Sequence, residues 1–141
     1  MIHSTRRASA GFSFIEIIVA IFIMGILAAV GFGAMSYLEK SKRTKVESVL
    51  QSLQLAITSF NIDTGTFPAT LNDLVERPAD AKVSKMWKGP YAQQRELRDS
   101  WSHEFQYQLK PKGSRPEYEL YSWGKKGETG AAEDQISVHN L

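Results

Sequence analysis

Glu16 is the residue whose position demands an explanation. It heads an uncharged run from Ile17 to Tyr37, 21 positions, close to the ~20 residues that cross the hydrocarbon core of a bilayer as a helix. A carboxylate deep in a bilayer costs about 2.5–3.5 kcal/mol, so this one requires a cationic partner and a role. A second group of candidates lies near the C-terminus, where Glu128, Glu133 and Asp134 are interleaved with Gly124, Gly127 and Gly130. Acids among glycines suit oxygen ligation of a hard cation. The same stretch holds Lys126, whose ammonium cannot ligate a metal and repels one. Elsewhere the chemistry thins out. His3, His103 and His139 are scattered, with no helical metal-ligand spacing. No nucleophile elbow, phosphate loop or zinc signature occurs. The absence of cysteine excludes disulfides and thiolate metal sites. Catalysis by this chain is not expected.

The chain has 141 residues, enough for one domain. With a membrane-type helix set aside, the soluble part is roughly 100 residues, a size that buries a modest core. The net charge of +2 comes from Arg6 and Arg7, since the remaining bases equal the 15 acids. That balance excludes nucleic acid as a partner recognised through bulk charge.

Three readings of the N-terminal segment compete. A secretory signal would be cut after its apolar run, where Ala28, Ala29, Gly31, Gly33 and Ala34 offer small residues. The run is long for that purpose, and neither such a signal nor a plain anchor gains anything from Glu16. The third reading rests on Gly11-Phe12-Ser13-Phe14-Ile15-Glu16, which resembles the type IV prepilin signature of glycine, aromatic and glutamate. The resemblance implies cleavage between Gly11 and Phe12 by a membrane-embedded aspartyl peptidase, followed by N-methylation of Phe12. The freed amine would then neutralise Glu16 of its own or an adjacent subunit, lowering the desolvation cost. Basic residues on both sides of the apolar run, Arg6 and Arg7 before it and Lys40, Lys42, Arg43 and Lys45 after it, leave the orientation ambiguous by counting. The resemblance implies a cytoplasmic leader.

These groups need elements to position them. Val46, Val49, Leu50, Leu53, Ile57 and Phe60 repeat as one stripe of a 3.6-residue helix. The pattern therefore predicts a single helix from about Phe12 to about Asn61, about 75 Å long. Its first half is apolar all round, and its second half has one core-facing stripe. Gly25, Gly31 and Gly33 interrupt the apolar half and suggest either close helix approach or local loosening. Asp63-Thr64-Gly65-Thr66-Phe67-Pro68 is turn chemistry that ends the helix. A short helix follows over Thr70–Val75, with Thr70 as N-cap and Asp73 three positions on, and then a polar connection to Trp87. Strands are expected over His103–Leu109, Glu117–Ser122 and Ile136–His139, the first two joined by a hairpin-type link at Lys110–Ser114. Trp87, Trp101 and Trp123 read as packing residues of a small head. The resulting fold class is α+β, a long helix packed on a three-stranded antiparallel sheet. The expected divisions are a leader over 1–11, a membrane or filament-core helix over 12–37, its amphipathic continuation over 38–62 and a globular head over 63–141.

The head narrows the assignment. Asp63-x-Gly65-x-Phe67-Pro68, Leu74…Arg77-Pro78, Trp87-x-Gly89-Pro90-Tyr91, Asp99-x-Trp101 and Tyr121-Ser122-x-Gly124 occur in an order similar to the major pseudopilin family of type II secretion systems. The resemblance covers nearly the whole chain, with departures at Ser100 and Ser102, where the family usually has Asp-Pro-Trp-Gly. It implies a single-pass protein of the bacterial inner membrane with a periplasmic head, polymerising as a homo-oligomer into a helical pseudopilus that drives export of folded proteins. Minor pseudopilins, the prepilin peptidase/methyltransferase and the inner-membrane secretion platform would be its partners. The alternative is a subunit of a type IV pilus or DNA-uptake (competence) pseudopilus, opposed by the near-neutral mature charge and the lack of a C-terminal disulfide loop. The resemblance also implies a calcium-binding C-terminal loop, the one cofactor to consider. Here Lys126 stands where the family has aspartate, and Gln135 where it has aspartate before isoleucine. Glu133 and Asp134 remain as acids, and Lys126 is the expected internal counter-charge to one of them.

Overall fold

The computed structural model describes residues 12–140, leaving aside the surroundings of Phe32 and Gly33. The leader over 1–11 lies outside the described residues. The chain divides into two compact units between Glu39 and Lys40. Helix α1 (Phe14–Thr64) runs through both stretches of sequence. In the first unit its apolar side chains are exposed on every side, among them Phe14, Ile15, Ile18, Phe22, Met24 and Leu27. Among the described residues α1 is the helix long and apolar enough to cross a membrane. It remains helical through Gly25 and Gly31, where an added Cβ would meet open space.

The second unit has its own core. Val46, Leu50, Leu53, Ile57 and Phe60 are buried, and Val49 packs against them. The stripe read from the sequence is therefore the helix's contribution to the core. Fully burying a side chain of this size contributes about 1.5–3 kcal/mol. The helix ends three residues later than expected, at Thr64. Gly65 then takes a φ of 75°, a left-handed conformation that favours glycine, and donates its N–H to the Asn61 carbonyl at 2.8 Å.

Leu71 and Leu74, both buried, are carried by a 3-10 helix (Leu71–Leu74) within the short helix expected over Thr70–Val75. The Asp73 carboxylate accepts the N–H groups of Ala69 and Thr70 at 2.8 and 3.0 Å. Thr70 is the N-cap residue, as expected, in an extended conformation, and the cap bond comes from Asp73. The stretch read as a polar connection contains a short helix, α2 (Ala81–Met86), capped by Asp80, which accepts from the N–H groups of Lys82 and Val83. Its six residues are too few to show a hydrophobic period.

Strands β1 (Gln106–Leu109), β2 (Tyr118–Ser122) and β3 (Ile136–Ser137) form an antiparallel sheet in that order. Leu109 pairs with Tyr118, Tyr107 with Leu120, and Ser122 with Ile136. All three are shorter than expected. Residues 103–105 lie outside the sheet because they bond back to 97–99, His103 to Asp99, Glu104 bridging Arg98 and the Phe105 N–H donating to the Leu97 carbonyl, and Val138–Asn140 coils into a 3-10 turn. Burial alternates cleanly along β2 alone, the central strand, whose one face meets the core.

Candidate functional site

Of the processing residues, Gly11 lies outside the described residues, and Phe12 is exposed just before α1. Glu16 occupies the first turn of the helix. Its side chain is exposed, and it has no side-chain partner among the described residues. An anion in the first helical turn is favoured by the unsatisfied backbone N–H groups there. The surrounding side chains are bulky and apolar. This surface suits lipid or other apolar helices, a medium in which an ionised carboxylate is costly.

In the second unit, three polar clusters tie distant segments together. Asp63 joins the end of α1 to the Trp87–Tyr91 loop. Lys88 Nζ donates to its Oδ1 at 2.7 Å and Tyr91 Oη to its Oδ2 at 2.9 Å. The Lys88 hydrogen bond, with that of Tyr91, holds the Asp63 carboxyl below its ordinary range. Asp63 in turn raises Lys88. Trp87 packs in the same loop, donating Nε1 to the Asp73 carbonyl at 2.8 Å beneath the Arg77 guanidinium.

Asp99 is the centre of the second cluster, and its carboxylate is 0% exposed. Oδ1 accepts the N–H groups of Trp101 and His103, both at 2.9 Å, and Oδ2 accepts Ser122 Oγ at 2.6 Å. Ser122 Oγ also accepts the Gly124 N–H at 2.9 Å. A buried carboxylate thus fixes the 99–103 turn, the end of β2 and the start of the C-terminal loop. Sequence reasoning singled out Asp99-x-Trp101 only as part of a resemblance. Ser122 lies 23 positions away, and no local pattern announces the pairing.

The same turn contains one departure from the pattern that the resemblance implies. Ser102, where the family usually has glycine, holds a φ of 70°, a conformation costing a residue with a Cβ about 1–2 kcal/mol. Ser102→Gly is expected to raise the stability of the chain by up to about 1 kcal/mol, after allowance for the added freedom of the unfolded chain. Thermal melts of the two chains check this, and an unchanged or lower midpoint contradicts it.

The third cluster is the C-terminal loop. Lys126 Nζ donates to Asp134 Oδ2 at 2.9 Å, and the Ala131 N–H reaches the same oxygen at 3.3 Å. The Lys126 hydrogen bond leads the interactions that lower the Asp134 carboxyl, while desolvation opposes it. Glu133 stands beside Asp134 on the same Ala132–Asp134 turn, exposed. The structure therefore brings Lys126 to Asp134 and leaves Glu133 apart. The loop does not fit a calcium ion. The carboxylate oxygen such an ion would take already binds an ammonium. The Gly124 carbonyl accepts from Gly127 N–H and lies 3.1 Å from His103 Nδ1, while the Lys126 and Gly127 carbonyls accept from Thr129 Oγ1 and Gly130 N–H. Among the described residues no group of three or more His, Cys, Asp or Glu converges as a metal site.

Residues 33–141 match the family described as type II secretion system (T2SS), protein G, and residues 6–32 match the prokaryotic N-terminal methylation motif. The chain belongs to the type II secretion system protein G family. The methylation-motif match includes Gly11, Phe12 and Glu16. The type II secretion system core protein G of Xanthomonas campestris pv. campestris is 36% identical over 129 residues, covering 91% of this chain and 87% of that one. The Pseudomonas aeruginosa protein of the same name is 31% identical over 140 residues, 96% of each chain. The solved major pseudopilin of the type 2 secretion system of enterohaemorrhagic Escherichia coli shares the fold, with a TM-score of 0.60 at 24% identity over 76% of this chain and 94% of that one.

Proposed function

We propose that this chain is a structural subunit of a type II protein secretion system, assembling with copies of itself into a periplasmic pseudopilus that drives export of folded proteins. The observation that carries this reading is the protein G family match over 33–141, directly following an N-terminal methylation motif. Its work is packing, not chemistry. The exposed apolar half of α1 holds the subunit in the inner membrane and bundles with neighbouring helices in the filament, while the head over the second unit faces the periplasm. A membrane-embedded prepilin peptidase cuts between Gly11 and Phe12, and the new Phe12 terminus is methylated. Minor pseudopilins and the inner-membrane secretion platform are its partners in assembly.

The Phe12 amine supplies the cation that Glu16 lacks. A charge pair across two subunits is strongest where water is scarce, so a neighbour docked out of register leaves both charges unpaired. Family membership favours this reading over a DNA-uptake or adhesive pilus subunit.

Mass spectrometry of the protein from its native membrane tests the processing step. The expected chain begins at Phe12 and carries one methyl group on its amine. A chain that keeps residues 1–11, or one cut among Ala28–Ala34, sinks the reading.

A further inference from the structure

We propose that Lys126 is the resident cation of the C-terminal loop: its ammonium, seated on Asp134, does the closing work of a bound divalent ion, and the loop holds its shape without metal. The inference rests on the disagreement between the loop's side chains and the ion that the family resemblance implies, and it is independent of the secretion assignment.

The loop runs from Gly124, just past the end of β2, to β3 at Ile136. Its closure is tight. Gly124 has a φ of 73°, and a Cβ there would collide with the Asp134 carbonyl. The first and last turns of the loop therefore touch through backbone. Side chains seal the contact through Lys126 Nζ on Asp134 Oδ2, eight positions apart. Within the loop the Gly127–Thr129 and Ala132–Asp134 3-10 turns pair backbone groups, and the Thr129 hydroxyl donates to the Lys126 carbonyl.

Length makes the exchange of ion for lysine stereochemically sound. An aspartate at position 126 would reach Asp134 through a carboxylate oxygen and an ion, with Ca–O bonds of about 2.4 Å. A lysine covers a similar span with its extra methylenes and ends in a positive charge at the ion's place. Charge also balances. One ammonium neutralises one carboxylate, whereas a divalent ion beside Lys126 would meet repulsion and a single acidic ligand. The latch is partly open to water, with Asp134 about one-third exposed, so added salt weakens it.

Thermal melts of the full chain in detergent micelles, with calcium or with a chelator, test the proposal, supported by calorimetric calcium titration. The wild-type chain is expected to melt at the same temperature in both and to take up no calcium. Lys126→Met should lower the midpoint by a few degrees equally in both. Lys126→Asp should be destabilised in chelator and regain stability in calcium, with no such gain in magnesium. Stoichiometric calcium uptake by the wild-type chain that disappears in Asp134→Asn overturns the proposal. A Lys126→Met chain as stable as wild type overturns it too, and so does a Lys126→Asp chain indifferent to calcium.

Discussion

Glu16→Ala is expected to leave cleavage at Gly11–Phe12 and methylation intact and to abolish filament assembly. The substitution makes the first turn of α1 more apolar, so membrane insertion does not suffer; a buried carboxylate costs about 2.5–3.5 kcal/mol there. What disappears is the only acid between the terminus and Glu39, and with it the counter-charge for a neighbour's Phe12 amine. An unpaired ammonium among packed apolar helices is then left at every subunit contact. Removing one partner of a desolvated pair costs about 3–5 kcal/mol, and a filament repeats that loss at each addition. Immunoblots of sheared filament fractions, with mass spectrometry of the membrane-bound subunit, read the two effects apart. A normal filament yield from a correctly processed Glu16→Ala chain excludes the register role.

Asp99→Ala is expected to destabilise the second unit by about 3–5 kcal/mol, a large share of the 5–15 kcal/mol that holds a typical domain together. The deletion strands the N–H groups of Trp101 and His103 and the Ser122 hydroxyl, all now satisfied by one carboxylate. Each buried orphan costs about 1–3 kcal/mol. Asp99→Asn should be far milder. Its carbonyl oxygen can keep both backbone bonds, and the Ser122 hydroxyl can rotate to accept from the amide. Thermal unfolding of both variants in micelles checks the contrast. Equal losses in the two would show that the negative charge, 3.7 Å from His103 Nδ1, matters more than the hydrogen-bond count.

These two residues mark opposite limits of what could be read before the structure. Glu16 is conspicuous in the bare sequence because its context is local: one acid ahead of 22 uncharged residues, Ile17 to Leu38. Asp99 is inconspicuous because its partners come from a turn and from β2. The helix that was missed is a short one. The six residues of α2 hold too few side chains to display a period, and its start follows the cap at Asp80. The strands were placed correctly and drawn too long, since propensity does not know that the Asp99 turn takes residues 103–105 out of the sheet.

The loop divides along the same line. Composition alone placed Lys126 among acids and glycines, with Glu133 and Asp134 equally eligible as its partner. The structure selects Asp134, because the 3-10 turn at Ala132–Asp134 sets that carboxylate against Lys126 and leaves Glu133 outside. What is periodic or local was therefore legible in the chain: the length of α1, its core-facing stripe, the costly position of Glu16 and the motif around it. Helical period and charge-free length depend only on neighbours within a few turns. The Asp63–Lys88 pair, the Asp99–Ser122 bond and the Lys126–Asp134 latch join positions 25, 23 and 8 residues apart. Only tertiary structure could decide them, because a polar side chain far along the sequence has many eligible partners and packing selects the few that come within hydrogen-bonding distance.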